Sequence, residues 1–237
     1  MTADFWKDGF VFRAGFLSDT ECDRYGQSVR ALERTGGLPL IERQAAGRWL
    51  RYKVVDGRRI DDVIPDIDEL SERVQAELER ICGIRLLPIS DSVAARNVNV
   101  TPPGGEYRWH YDRNAATAIL YLNEVPGGET EMFPNYRLVF RGGRHQRVQR
   151  WLDGLLRLRP VRHLLGRRTL VAPRRGALLI MRGDRALHSV RTVGGSEDRI
   201  NLILAYDVPG SACTRDTLNT YLYSDIPAMA GDPNYGA

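Results

Sequence analysis

The chain has 237 residues with a formal net charge of +4, 43% hydrophobic and 27% charged side chains, which is ordinary for one globular domain. No apolar stretch approaches the roughly 18 residues that suggest a membrane span, and residues 1–15 lack the apolar run of a secretory signal. Cys22, Cys82 and Cys213 are widely separated, so they read as reduced thiols rather than a disulfide frame, and a cytoplasmic location is the expectation.

The first third reads as helical framing. Ser18, with Glu21 three residues on, is a capping-box signature that predicts a helix through about Glu33, stopped by Gly36 and Gly37. Residues 49–55 read as a strand ending at the Asp56-Gly57 turn. Pro65 then opens a second helix with Leu70, Val74, Leu78 and Ile81 at helical spacing, ending near Gly83.

From Ser92 onward the rhythm changes to short strands and glycine-rich turns. Strands are expected over 93–101, 107–112, 117–123, 129–133, 169–171, 177–181, 187–190 and 200–206. Within the first of these, Asn97, Asn99 and Thr101 share one face and Val98 and Val100 the other. Eight short strands after two helices predict a mostly β fold with flanking helices: a double-sheet jelly roll with the N-terminal helices packed on one sheet. The expected organisation is a single domain over 1–237. It comprises a helical framing region (1–91), a jelly-roll core (92–207) interrupted by an insertion at about 135–168, and a C-terminal tail (208–237).

The insertion is strongly basic. Of the chain's basic residues only Lys7 and Lys53 are lysine, a skew that codon usage in a GC-rich genome explains; the local clustering needs another account. From Arg137 to Arg175 arginine recurs against a single acid, Asp153. Val148, Trp151, Leu152, Leu155 and Leu156 recur at helical spacing, predicting one or two helices with arginines on the remaining faces. Loops on a rigid barrel commonly select substrate, and arginine forks suit carboxylate and phosphate. Paired arginines such as Arg144 and Arg147 are therefore expected to favour an acidic substrate.

Histidine is scarce, with four in the chain. His145 and His163 lie in the basic insertion, where like charge repels a cation. His110 differs, because Asp112 follows it in an H-x-D pair, and strand residues i and i+2 point to one side. His188 closes an apolar run further on. Two histidines and one carboxylate make a facial triad that leaves coordination positions open, as a non-haem Fe(II) oxygenase needs for a co-substrate and O2. Arg199, at the start of the last strong strand, offers a bidentate fork for the far carboxylate of 2-oxoglutarate, whose 2-oxo acid end would chelate the metal.

Seven pieces in order carry a family resemblance. They are Pro103-Gly104-Gly105, His110-Tyr111-Asp112, residues 118–123, Gly127-Gly128-Glu129-Thr130 with Phe133-Pro134, residues 173–178, His188-Ser189-Val190, and the Arg199 strand. The stretch from about Asn97 to Asp207 resembles the Fe(II)/2-oxoglutarate-dependent oxygenases, specifically the prolyl-4-hydroxylase-like branch. The resemblance implies a double-stranded β-helix. It implies that His110, Asp112 and His188 ligate Fe(II) and that Arg199 binds 2-oxoglutarate. Tyr121 matches a tyrosine that assists the same carboxylate, and Thr117, four residues earlier on that strand face, is expected in the same pocket. Asn99, in preference to Thr101, falls where the family places a polar contact to the co-substrate near the iron. Arg191 is a rival carboxylate anchor, but it follows His188 too closely for the usual pattern.

The implied reaction is oxidative decarboxylation of 2-oxoglutarate to succinate and CO2, coupled to hydroxylation of an unactivated C–H bond in a small, acidic or carrier-linked molecule. Related halogenases replace the carboxylate ligand with a small residue, so Asp112 favours hydroxylation or desaturation over chlorination. The basic insertion departs from the family's shorter connection and argues against a protein-prolyl substrate. Two alternatives stand beside this reading. One is a nucleic-acid-binding or -modifying protein using the insertion, against which the helical part of the stretch, residues 146–168, offers only Trp151 as an aromatic base-stacking platform. The other is a cupin-like metalloprotein in which Arg199 makes only a structural ion pair.

Overall fold

A computed structural model describes residues 4–45, 48–112, 114–139 and 146–211. Within them the chain runs α1 (Phe5–Asp8), β1 (Phe10–Arg13), α2 (Asp19–Arg34), β2 (Ile41–Ala45), β3 (Arg48–Val55), a 3-10 turn (Ile60–Asp62) and α3 (Ile67–Cys82). Next come β4 (Leu87–Pro88), α4 (Ser92–Ala95), β5 (Arg96–Thr101), β6 (Tyr107–His110), β7 (Ala116–Tyr121) and β8 (Thr130–Phe133). The insertion supplies α5 (Gln146–Arg157) and α6 (Arg159–Leu165), followed by β9 (Thr169–Val171), β10 (Leu178–Met181), β11 (Leu187–Val190) and β12 (Arg199–Asp207).

Two antiparallel sheets face each other. The larger has the order β1-β10-β7-β12-β5-β3-β2, with β4 beside β12; the smaller has the order β6-β11-β8-β9. The eight strands β5 to β12 are the jelly roll expected from the sequence, and the framing region extends the large sheet at both edges. The fold is thus sheet-rich with helices on one face, as the sequence predicts.

The two long helices form for the expected reasons. Ser18 accepts a hydrogen bond from the Glu21 amide while the Glu21 carboxylate accepts one from the Ser18 amide, completing the capping box of α2. At the far end of α3, Gly83 takes a left-handed φ of 69° and returns its N–H to the Glu79 carbonyl. Tyr25 and Val29 of α2, and Ile67, Leu70, Val74 and Leu78 of α3, are buried against Val98, Val100, Ala118, Leu120, Leu202 and Leu204 on the outer face of the large sheet. Each such aliphatic side chain contributes about 1.5–3 kcal/mol on full burial.

Alternation then dictates what faces inward. Opposite partners in a ladder share a face, so the row Tyr121–Asn201–Asn99 and the row Thr117–Ala205 look toward the small sheet. The inner face is divided. Ile119, Leu179, Met181 and Ala177 form an apolar half with Met132 and Ala186. Asn97, Asn99, Thr101, Arg199 and Asn201 form a polar half on β5 and β12.

Three expectations need correction. The strand expected from residue 93 begins at Arg96, because Asp91 caps α4 through the Val93 and Ala94 amides. The strand expected over 107–112 ends at His110, the last residue of β6 that pairs with β11, so Asp112 lies beyond the ladder. β2 was not expected at all: it is an edge strand of mixed polarity that pairs with β3 alone. The insertion does form two helices. Arg144, His145, the side chain of Arg147, Cys213 and the tail tyrosines Tyr221, Tyr223 and Tyr235 lie outside the described residues. Cys22 and Cys82 are free and buried.

Candidate metal centre and co-substrate pocket

His110 ends β6 and His188 lies directly opposite it on β11, so the ladder alone sets the two imidazoles side by side, with ring centroids 4.1 Å apart. Asp112 lies two residues past the strand end and turns back on the same point. Its Oδ1 is 3.4 Å from His110 Nε2 and 3.7 Å from His188 Nε2. One ligand atom from each of the three residues lies within 4.8 Å of the others.

The tautomers follow from the partners of the other ring nitrogens. His110 Nδ1 is 3.1 Å from the Arg108 carbonyl and His188 Nδ1 is 3.0 Å from the Ala186 carbonyl. A carbonyl only accepts, so each Nδ1 carries the hydrogen and each Nε2 presents a lone pair to the centre. Burial, together with the neighbouring His110, lowers the pKa of His188 to about 4, against the opposing pull of Asp112. Burial alone would raise Asp112, but His188, His110 and the Thr117 hydroxyl outweigh it and hold the carboxyl well below its ordinary range. Two imidazole Nε2 atoms and a carboxylate converge on one point. This donor set fits a six-coordinate divalent iron with positions to spare.

The other end of the pocket is cationic. Arg199 is 2% exposed, and its Nη1 donates to Asn201 Oδ1 while its Nη2 donates to Thr130 Oγ1 at 3.3 Å. Its guanidinium carbon lies 5.3 Å from the centroid of the Tyr121 ring, whose hydroxyl is 2.7 Å from Thr130 Oγ1. Among the described residues no carboxylate pairs with Arg199, and its Nε is buried without a partner. Burial lowers the pKa of this guanidinium, with Tyr121 opposing, yet arginine stays charged at neutral pH. A buried cation held only by neutral groups is costly unless an anion completes it. Gly128 makes room for it: a Cβ there would lie 2.9 Å from Arg199 Cδ, and the residue's φ is +62°.

The structure therefore brings His110, Asp112 and His188 together, and places Arg199 with Tyr121. Asn99 lies in the same inward row as Tyr121 and donates to Asn97 Oδ1 at 2.6 Å. Thr117 departs from the expected role, because its hydroxyl is bonded to Asp112 Oδ2 at 2.6 Å rather than to the Tyr121 end. Arg191 is half exposed and faces Glu129 at 3.6 Å, away from this pocket. Sequence reasoning missed Thr130 and Asn201. Asn201 carried a signal, since i+2 from Arg199 is the same strand face; Thr130 reaches across from the other sheet, which no local pattern records.

Several of the insertion's described side chains are engaged on and beside the small sheet. Leu152, Leu156 and Val161 pack with Trp109, Tyr111, Phe133 and Leu187. Arg162 lies 4.4 Å over the Trp109 ring, Arg137 and Arg157 lie 5.0 and 5.8 Å over Tyr111, Arg137 pairs with Asp153 at 2.6 Å, and Arg168 pairs with Glu131 at 2.5 Å. His163 sits edge-on to Phe133 and is not among the three clustered ligands.

No protein-family model matches the chain, and no curated protein matches its sequence. Solved structures do match along most of its length. The epimerase SnoN in complex with Fe3+, alpha ketoglutarate and nogalamycin RO superposes with a TM-score of 0.67 at 19% identity, covering 98% of this chain and 91% of that one. A Pseudomonas putida prolyl-4-hydroxylase gives a TM-score of 0.53 at 20% identity, covering 87% and 96%. HygX from Streptomyces hygroscopicus, with nickel, 2-oxoglutarate and hygromycin B bound, gives 0.57 at 13% identity, covering 89% and 87%. The chain has the fold of the Fe(II)/2-oxoglutarate-dependent oxygenases. Its fold is shared both with a prolyl-4-hydroxylase and with proteins solved with nogalamycin RO or hygromycin B bound, so the resemblance read from its sequence holds at the level of the fold.

Proposed function

We propose that this protein is an Fe(II)- and 2-oxoglutarate-dependent dioxygenase that hydroxylates an unactivated C–H bond of a small molecule, releasing succinate and CO2. The observation that carries the reading is the pair of uncompensated charges in one pocket. Three donors await a cation at one end, and a buried guanidinium awaits an anion at the other. Thr117 and Tyr121, four residues apart on β7, mark the two ends, roughly 13 Å apart at about 3.4 Å per residue. A short dicarboxylate bonded at both termini suits that span.

Bound iron would supply oxygen activation. The protein's own part is positional. His110, Asp112 and His188 would hold the metal, while Arg199, Tyr121 and Thr130 would hold the far carboxylate, with Asn99 beside them on the inner face. The apolar half of the inner face, Ile119, Leu179 and Met181, excludes water from the space between the sheets. Asp112 fills the position a halide would need, which favours hydroxylation over halogenation.

A small-molecule substrate accords with solved neighbours that include SnoN with nogalamycin RO and HygX with hygromycin B, and an acidic or carrier-linked one is the version that the arginine-rich insertion favours. A cytoplasmic site of action accords with the free thiols of Cys22 and Cys82. The first test is anaerobic absorbance on adding Fe(II) and then 2-oxoglutarate. A visible charge-transfer band that appears in the wild type and is lost in His188→Ala is the expected result. Absence of the band from the wild type would overturn the reading.

A further inference from the structure

Thr117 and its surroundings build a device behind the metal centre. The two oxygens of Asp112 have different fates. Oδ1 faces both imidazole Nε2 atoms, at 3.4 and 3.7 Å, whereas Oδ2 accepts the Thr117 hydroxyl at 2.6 Å. A hydroxyl has one hydrogen, and the Asn114 Oδ1 alternative lies at 3.4 Å, so the short bond to the charged oxygen takes it.

The hydroxyl is itself held from behind. Asn114 Nδ2 donates to Thr117 Oγ1 at 3.0 Å and to the Ala116 carbonyl at 2.6 Å. The carbonyl of Tyr206 lies at 3.5 Å from the same nitrogen, and the Tyr206 hydroxyl is anchored on Ser71 of α3 at 2.8 Å. Donation therefore runs from Asn114 through Thr117 to the carboxylate, while Asn114 and Tyr206 are tied to the packed framing helix by the hydrogen bonds they donate the other way. Thr117 and Asn114 are both buried, so water does not compete.

A separate observation points to the same place. Gly183, in the turn between β10 and β11, passes so close that a Cβ there would lie 2.8 Å from Thr117 Oγ1, 2.8 Å from the Asn114 carbonyl oxygen and 2.9 Å from Asp112 Cβ. The turn that leads into the His188 strand thus backs onto the Asp112 clamp, and only a residue without a side chain fits there.

We propose that Thr117, backed by Asn114 and by the close passage of Gly183, is the positioning residue that commits Asp112 to present a single oxygen to the metal. The proposal rests on the metal-centre reading above. With Oδ2 occupied, Asp112 binds through Oδ1 alone, and the third open position stays available to O2 instead of being taken by a bidentate carboxylate. Removing the hydroxyl frees Oδ2 to swing toward the metal or to lose its orientation.

The test is calorimetric titration of Co(II) into metal-free wild type, Thr117→Val, Thr117→Ser and Gly183→Ala, with the visible d–d spectrum and the metal-free melting temperature of each. Thr117→Val is expected to bind Co(II) roughly ten- to a hundredfold more weakly, the range for loss of a group that orients a metal ligand, with a d–d band altered in intensity as the coordination changes. Thr117→Ser should restore wild-type affinity and spectrum, and Gly183→Ala should weaken binding. Wild-type affinity and spectrum in Thr117→Val would overturn the clamp while leaving the metal centre standing. Equal loss in Thr117→Val and Thr117→Ser would also overturn it, since the hydroxyl would then not be what matters. A wild type that binds no Co(II) would overturn the metal centre and the clamp with it.

Discussion

The two ends of the pocket are built by opposite means. At the metal end the strand ends of the small sheet bring three side chains to one point, and backbone carbonyls of Arg108 and Ala186 fix how the imidazoles face. At the other end the large sheet buries a guanidinium among neutral hydroxyls and an amide, with the guanidinium carbon over the ring of Tyr121. The first is a negative concavity and the second a positive one. Glycine serves both ends in the same way, with Gly183 against Asp112 and Gly128 against Arg199. On the proposed reading this polarity orients the co-substrate, with its chelating end toward the histidines and its far carboxylate toward Arg199.

The sharpest way to break this comparison is to disable one end and watch the other. His188→Ala removes a ligand whose Nε2 is already oriented, and should abolish Fe(II)-dependent absorbance and turnover outright. Arg199→Met should leave Co(II) binding near wild type while weakening 2-oxoglutarate by roughly ten- to a hundredfold, since hydrogen bonds to charged groups contribute about 1.5–3 kcal/mol. Titration of 2-oxoglutarate into the metal-loaded variant checks it. Unchanged affinity would mark the guanidinium as a structural group, the cupin-like alternative. The neutral surroundings of Arg199 already speak against that alternative, because among the described residues it has no acid to pair with.

How much of this could be read from residues alone depends on the range of the interaction. The H-x-D pair was legible because ligand type and strand spacing coincide within three residues, and His188 and Arg199 were legible as strand residues in the expected order. Asp112 nonetheless reaches the site from beyond the end of β6, not from within it, because the partner strand stops short. Thr117 was on the right strand and face, but its partner was missed: Asp112 lies beyond the end of β6, and a contact made outside the strand leaves no periodic signal. Thr130 was quoted as part of a motif and its role passed over, since its two partners lie on the opposite sheet. In the insertion the helical period was readable, whereas the docked face was not. Leu152 and Leu156 pack on the small sheet, yet Trp151, of the same apolar pattern, is 68% exposed.

Smaller changes sharpen the comparison at the guanidinium end. Gly128→Ala puts a Cβ 2.9 Å from Arg199 Cδ at a φ of +62°, where a non-glycine residue costs about 1–2 kcal/mol. It should lower the melting temperature and weaken 2-oxoglutarate less than Arg199→Met does, leaving Co(II) binding intact. Thr130→Val is the mildest and the most discriminating. It removes one hydroxyl that joins Tyr121 to Arg199, a net contribution of about 0.5–1.5 kcal/mol per bond, so 2-oxoglutarate affinity should fall roughly two- to tenfold. Combining it with Tyr121→Phe separates two accounts of the pair. If Thr130 acts by holding the Tyr121 hydroxyl toward the ligand, the double variant binds no more weakly than Tyr121→Phe alone. If Thr130 acts by aiming Arg199, the losses add, because the guanidinium then loses its orientation independently of the phenol.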